Sequence, residues 1–217
     1  MKDLSLIIPC FNEGKTLESS LNSLLEFFKL LNLDFELILI DDCSQDDTKK
    51  IVEDFAKKHK QVRAFYHKRN KGRGFSVKEG ILKAKGRIVG FIDIDLEVPI
   101  ESIIPHILAI QNGFDVTYAN RITKPTILNI HRYFLHVAYI FLTKLLLGTP
   151  FNDTNAGCKF FNRKKILPIL KKTKSNHWFW DTEILTRSYY AGLKMKEIPA
   201  LYIRRCEKKS TVKIFRD

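Results

Sequence analysis

Apolar residues along this chain follow two alternating rhythms. Short unbroken runs at 4–8, 35–40, 62–66 and 88–92, rich in aliphatic and β-branched side chains, predict buried strands. Between them apolar positions recur at helical spacing. Leu17, Leu21, Leu24, Leu25, Phe28 and Leu31 mark one face of a helix over 15–31, and Ile51, Val52, Phe55 and Ala56 one face of another over about 47–58. A third helix follows the glycine-broken loop Asn70-Lys71-Gly72-Arg73-Gly74 and ends near Gly86. Strand and helix alternating three times imply parallel strands with right-handed crossovers. The expected fold is α/β, an open, mostly parallel twisted sheet flanked by helices.

Beyond Pro99 the rhythm loosens. The pattern predicts a helix to about Gln111, a strand at 115–118 and a long amphipathic helix over about 129–147. A strand at 157–161, helices at 164–171 and 181–191, and a last strand at 195–203 follow, before a basic tail. Residues 151–157 form a polar turn rich in φ-tolerant side chains. With no repeat, low-complexity tract or linker, the 217 residues are expected to form one domain.

Composition narrows this picture. A hydrophobic share of 45% with 12% aromatic residues excludes a disordered chain. Cys10, Cys43, Cys158 and Cys206 lie far apart, which argues against a zinc module or disulfide framework and fits a reducing compartment. The first apolar run is broken by Pro9 too early for a signal peptide. The segment 133–147 is shorter than the 18 or so residues a membrane span needs, and His136 and Lys144 interrupt it. The chain is not expected to cross a bilayer by itself. Its net charge of +13 favours a polyanionic partner: nucleic acid, an anionic membrane surface or a phosphorylated substrate. RNP-type aromatics and a helix-turn-helix are missing, so no nucleic-acid partner is expected.

Open α/β sheets bind ligands beyond the carboxyl ends of their strands. Pro9 to Glu13, Asp41-Asp42 and Asp93-Ile94-Asp95 all fall there. The run 88–92 ends in Asp93, Asp95 and Glu97 at alternate positions, which an extended chain would project to one side, where they repel unless a cation intervenes. Oxygen ligands of this kind suit Mg2+ or Mn2+, with further oxygens from waters and a diphosphate. A solvated acidic loop before a Pro99-initiated helix reads equally well on this stretch alone. The first turn, PCFNEG, is no GxGxxG, and neither a phosphate-binding P-loop, a GxSxG elbow nor an HExxH pattern occurs.

The segments Ile8-Pro9-Cys10-Phe11-Asn12-Glu13, Asp41-Asp42-Cys43-Ser44-Gln45-Asp46-Asp47-Thr48, Asn70-Lys71-Gly72 and Asp93-Ile94-Asp95, in that order and spacing, resemble the family 2 glycosyltransferases of the GT-A fold. Within that family the chain looks most like the polyprenyl-phosphate (dolichyl-phosphate-type) sugar transferases, glucosyl or mannosyl. The loop 70–74, residues 93–99, Asp153-Thr154-Asn155-Ala156-Gly157-Cys158-Lys159 and residues 178–185 carry this likeness. Cys43 stands where the family usually has glycine, and Cys158 where it has phenylalanine.

The resemblance implies an inverting, metal-dependent transfer from a nucleotide sugar, UDP-glucose ahead of GDP-mannose, to a polyprenyl phosphate. It implies a nucleotide-sugar-binding half at 1–98 and an acceptor half at 99–217. Pro9, Phe11, Glu13, Asp42 and Lys71 would line the nucleoside side. Asp93 would approach the ribose or metal and Asp95 would ligate the metal, with Glu97 a further ligand or a solvated acid. Arg121 and Arg132, with the planar fork that suits phosphate oxygens, are the candidates for the acceptor phosphate, and His136 lies one turn further on. A hydroxyl acceptor would need Asp181 or Glu183 as base. A phosphate monoester, with a second pKa of about 6, is already ionised at neutral pH and needs none, leaving Asp153 and Asp181 to position groups. The helix at 129–147 reads as core, or as a surface lying at a membrane interface. Lys164-Lys165, Lys171-Lys172, Arg204-Arg205 and Lys208-Lys209 could then hold that face to anionic lipid. The expected place is the cytoplasm, peripheral at the cytoplasmic face of a membrane, alone or with a membrane-anchored partner protein.

Overall fold

The computed structural model describes residues 2–122 and 130–203, with side chains in the second stretch from 133 onward. Seven strands form one sheet: β1 (Leu4–Cys10), β2 (Phe35–Asp41), β3 (Val62–Tyr66), β4 (Ile88–Ile92), β5 (Val116–Ile122), β6 (Cys158–Asn162) and β7 (Met195–Leu201). Their order is β3-β2-β1-β4-β6-β5-β7. All run parallel except β6, which is antiparallel to both β4 and β5. Because β6 is reversed, the turn that enters it, residues 153–157, lies at the edge where the other strands end.

Side chains alternate across the sheet as strand geometry requires. Leu4, Leu6 and Ile8 face α1 (Leu17–Leu30), α2 (Thr48–Lys58) and α4 (Ile103–Gln111); Ile7, Ile38 and Phe91 face α3 (Arg73–Lys83), α6 (Arg163–Leu170) and α7 (Trp180–Tyr190). Gly74 allows α3 to approach α7, since a Cβ there would lie 2.4 Å from Trp180 Cβ.

Three expectations change. Strand β5 runs on to Ile122, pairing in parallel with β7 over its whole length, so Arg121 is a strand residue rather than a following loop. Strand β7 ends at Leu201, and the Ile203 amide bonds Glu97 O instead. The acidic tip is no extended chain: beyond Ile92 it turns, Leu96 N–H reaching Asp93 O at 3.1 Å with Leu96 at φ +52°. The three acids therefore do not alternate on one strand face.

The helix expected at 129–147 is α5 (Ile130–Leu147). Tyr139 Oη docks it on Thr182 Oγ1 at 2.6 Å, while Phe134 (65% exposed), Phe141 (64%) and Leu146 (75%) point to solvent. Among the described residues no helix is long and apolar enough to cross a membrane.

Two stability predictions arise here. Cys43 holds φ +66°, a conformation that costs an L-residue about 1 kcal/mol and glycine almost nothing. Cys43→Gly should therefore raise stability by up to about 1 kcal/mol in urea unfolding, offset by the glycine's looser unfolded chain. His106 on α4 is wholly buried, stacked on Phe160, with Nδ1 2.8 Å from Thr117 Oγ1. Burial first, and then the Lys159 charge, holds its imidazole down at about 3. Since the unfolded histidine titrates near 6.5, the unfolded state binds more protons between these values. That contribution is complete above about pH 6.5 and is lost as pH falls towards 3. Going from pH 7 to pH 5 should cost about 2 kcal/mol, a slope that His106→Phe removes.

Candidate active site

The turn after β1 is held by the segment after β2. Asn12 N–H donates to Ser44 Oγ at 3.0 Å, Glu13 N–H to Thr48 Oγ1 at 2.7 Å and Gly14 N–H to Asp46 Oδ2 at 3.0 Å, while Gln45 N–H returns to Asn12 Oδ1 at 2.8 Å. Short polar side chains that satisfy turn amides explain this composition. Phe11 stands at the rim, 36% exposed, in position to offer a ring face to a base.

Asp42 serves the loop after β3. Its carboxylate accepts Lys71 N–H and Gly72 N–H, both at 2.8 Å, and lies 2.6 Å from His67 Nδ1. The other ring nitrogen of His67 faces Glu79 at 3.0 Å. With three partners on its two oxygens, Asp42 shapes the loop after β3. Lys71 reaches back over Phe75, its Nζ 4.5 Å from the ring centre. Gly72 adopts φ +97°, and Asn176 O and His177 pack where a side chain would begin.

Arg73 occupies the centre of the site. Its guanidinium lies between the rings of Phe91 and Trp178, 5.0 and 4.9 Å from their centres. Nε donates to Asp93 Oδ1 at 2.7 Å and Nη1 to Asp181 Oδ2 at 2.5 Å. Lys159 Nζ takes the other Asp181 oxygen at 2.6 Å. Burial raises the Asp93 carboxyl pKa; the Arg73 charge opposes this, and the Asp95 and Asp181 charges add to it. Burial depresses Lys159, with Asp181 opposing.

At the end of β5, Arg121 forks onto Asp153, Nε to Oδ2 at 2.7 Å and Nη2 to Oδ1 at 3.0 Å. Asp153 is fully buried; burial alone would raise its pKa, but the Arg121 hydrogen bonds and charge hold it below the usual carboxylate value. His136 on α5 faces this pair, its pKa lowered by burial, with Asp153 opposing and Arg121 adding. Tyr202 joins the two sides: its hydroxyl donates to Glu97 Oε2 at 2.7 Å, and its ring lies 5.5 Å from the Arg121 guanidinium.

The structure thus gathers Pro9, Phe11, Glu13, Asp42, Lys71, Asp93, Asp95 and Arg121 along one sheet edge. It does not converge Asp93, Asp95 and Glu97 on a point: among the described residues no three Asp, Glu, His or Cys side chains form a metal cage. The turn at Leu96 and the Tyr202 hydroxyl draw Glu97 aside. Glu183, the other candidate base, accepts Lys174 N–H, Ser175 N–H and Arg187 Nε and so organises the 173–176 loop. The side chain of Arg132 lies outside the described residues. Sequence reasoning passed over Arg73, Lys159, His67 and Tyr202. The first two lie inside the segments 70–74 and 153–159 that carry the family likeness, and a lysine beside the apolar Phe160-Phe161 pair was the available signal.

A family model described as Glycosyl transferase family 2 matches residues 5–170. The chain belongs to this family. Among similar family 2 proteins, Glycosyltransferase AglD of Haloferax volcanii is 27% identical over 202 residues, covering 91% of this chain and 32% of AglD. The dolichyl-phosphate beta-glucosyltransferase of Drosophila melanogaster is 28% identical over 215 residues, covering 90% of this chain and 65% of that enzyme. The chain therefore spans about a third and just under two thirds of these two relatives. Glucosyl-3-phosphoglycerate synthase of Mycobacterium tuberculosis, solved with Mn2+, UDP-glucose and phosphoglyceric acid, superposes with a TM-score of 0.72 at 19% identity, over 97% of this chain and 73% of that one. The family 2 domain thus has the GT-A fold.

Proposed function

We propose that this family 2 domain transfers glucose, with inversion, from UDP-glucose to a polyprenyl phosphate, using Mg2+ or Mn2+. One observation carries the choice of acceptor. Asp181, which a hydroxyl acceptor would require as base, is 1% exposed and committed to Arg73 and Lys159, while Glu183 is committed to its own loop. A phosphate acceptor arrives ionised and needs no base. The dolichyl-phosphate relatives, and the UDP-glucose in the solved structures, support the same substrates.

Residues 1–98 hold the donor and 99–217 the acceptor. Asp95, with Asp93 beside it, holds the cation; an all-oxygen donor set short of a full shell fits a dication that brings waters and diphosphate oxygens. When bound, that ion neutralises the departing diphosphate. Phe11 faces the base, and the Asp42-braced loop with Lys71 closes that side. Arg121, fixed by Asp153 two strand spacings from β4 (about 10 Å), orients the acceptor phosphate, with Arg132 assisting. The exposed apolar face of α5 rests on the membrane that holds the lipid, on its cytoplasmic side, with or without an anchored partner.

Incubating the protein with radiolabelled UDP-glucose, Mn2+ and vesicles carrying polyprenyl phosphate should yield label in the organic phase. Labelled GDP-mannose should yield much less. Transfer to a soluble hydroxyl acceptor, with an unlabelled organic phase, would overturn the proposal.

A further inference from the structure

Lys159 is the second residue of β6, followed by Phe160 and Phe161, where a lysine has no route to water. It is 0% exposed; its Nζ donates to Ala156 O at 2.7 Å and Asp181 Oδ1 at 2.6 Å, and lies 5.4 Å from the Phe91 ring centre. From there four charges alternate in sign along one line: Lys159, Asp181, Arg73, Asp93. Side-chain exposure rises along it from 0% and 1% to 11% and then 28%, so the line runs from the core to the acidic loop.

Burying ions is costly, and an inner pair such as Lys159–Asp181 stabilises a fold no better than apolar side chains of equal volume. An apolar residue at 159 would complete the strand equally well. What it could not do is balance Arg73. That guanidinium is pulled inward by Asp181 and outward by Asp93, with the Phe91 and Trp178 rings 5.0 and 4.9 Å away. With Lys159 on one oxygen, Asp181 is already partly neutralised, so Arg73 keeps its full hold on Asp93. Without Lys159, Asp181 has a single cation left and draws Arg73 inward. Asp93 cannot follow, because its Oδ2 packs against Gly157, where even a Cβ would come within 1.9 Å.

We infer that Lys159 and Asp181 are positioning residues for donor binding: through Arg73 they fix the Asp93 carboxylate where a sugar-nucleotide diphosphate meets the acidic loop. Neither touches the donor. The inference rests on the sugar-nucleotide reading of that loop and adds what holds it in place.

Lys159→Met leaves Asp181 with Arg73 as its remaining cation, the arrangement that draws Arg73 away from Asp93. Titrating UDP with Mn2+ into the full chain should give a Kd at least tenfold weaker than wild type. The melting temperature should stay within a few degrees, and the KM for polyprenyl phosphate should not change. Wild-type affinity for UDP and Mn2+ in the folded variant would overturn the inference. So would equal losses for both substrates in step with stability, the mark of a purely structural pair. Should Lys159→Met fail to fold, Lys159→Gln, which keeps a polar end group without the charge, is judged by the same criterion. A wild-type chain that binds no UDP with Mn2+ would sink the sugar-nucleotide reading itself.

Discussion

Asp95→Asn is expected to lower sugar transfer by roughly 10²–10³-fold, the rate equivalent of the several kcal/mol that a metal contributes to a leaving diphosphate. The amide keeps the shape of the side chain, which accepts the Glu97 amide at 3.3 Å within its turn, so the melting temperature should barely move. Glu97→Gln should cost only a few-fold, because Glu97 is turned to Tyr202. With no ready-made cage among the described residues, Mn2+ should bind the protein weakly alone and far more tightly with UDP present. Calorimetric titration of Mn2+ with and without UDP, beside steady-state rates, checks all three. An Asp95→Asn enzyme with near-normal kcat would remove Asp95 from the metal's partners.

Gly72→Ala should destabilise the protein by about 3 kcal/mol or more. Its backbone, at φ +97° and ψ 152°, lies in a region almost closed to side chains, which costs roughly 1–3 kcal/mol. Its Cβ would also meet Asn176 O at 2.4 Å, and overpacking adds about 1–3 kcal/mol. That carbonyl accepts Phe75 N–H at 2.9 Å, so it cannot withdraw without breaking a bond at the start of α3. For a chain of this size the melting temperature should fall by about 6–12 °C. Because Gly72 N–H is one of the amides on Asp42, nucleotide affinity should fall with it.

The sheet and most of the site's address were legible in the sequence, since both depend on local signals. Buried parallel strands write themselves as apolar runs, and the topology then places Asp42, Asp93 and Asp95 at one edge. Pairing direction has no such local signature. Nothing in the apolar run Cys158–Asn162 says that it enters the sheet backwards between β4 and β5. The turn at Leu96 was hidden because leucine seldom adopts positive φ, so the acidic tip read as extended chain. Partner choice was equally hidden: Asp181 and Glu183 both looked like acids on an acceptor-side helix, and only the fold shows one bridging two cations and the other capping its own loop. Charge counting could not reveal that Lys159 faces inward.

The reversed β6 also shapes how the chain is made. Strands β1 to β3 pair with neighbours about 25–31 residues apart, whereas β4 returns across about 84 residues to lie beside β1. Strand β4 then waits for a partner roughly 70 residues further along, which a ribosome adding about 5–20 residues per second supplies only after some 4–14 s. For that interval the sheet ends in an open edge carrying Ile88, Val89 and Phe91, the kind of edge that recruits other chains. Whatever shields it during synthesis, whether α4 folding over one face or a chaperone, governs how much of the protein reaches the folded state.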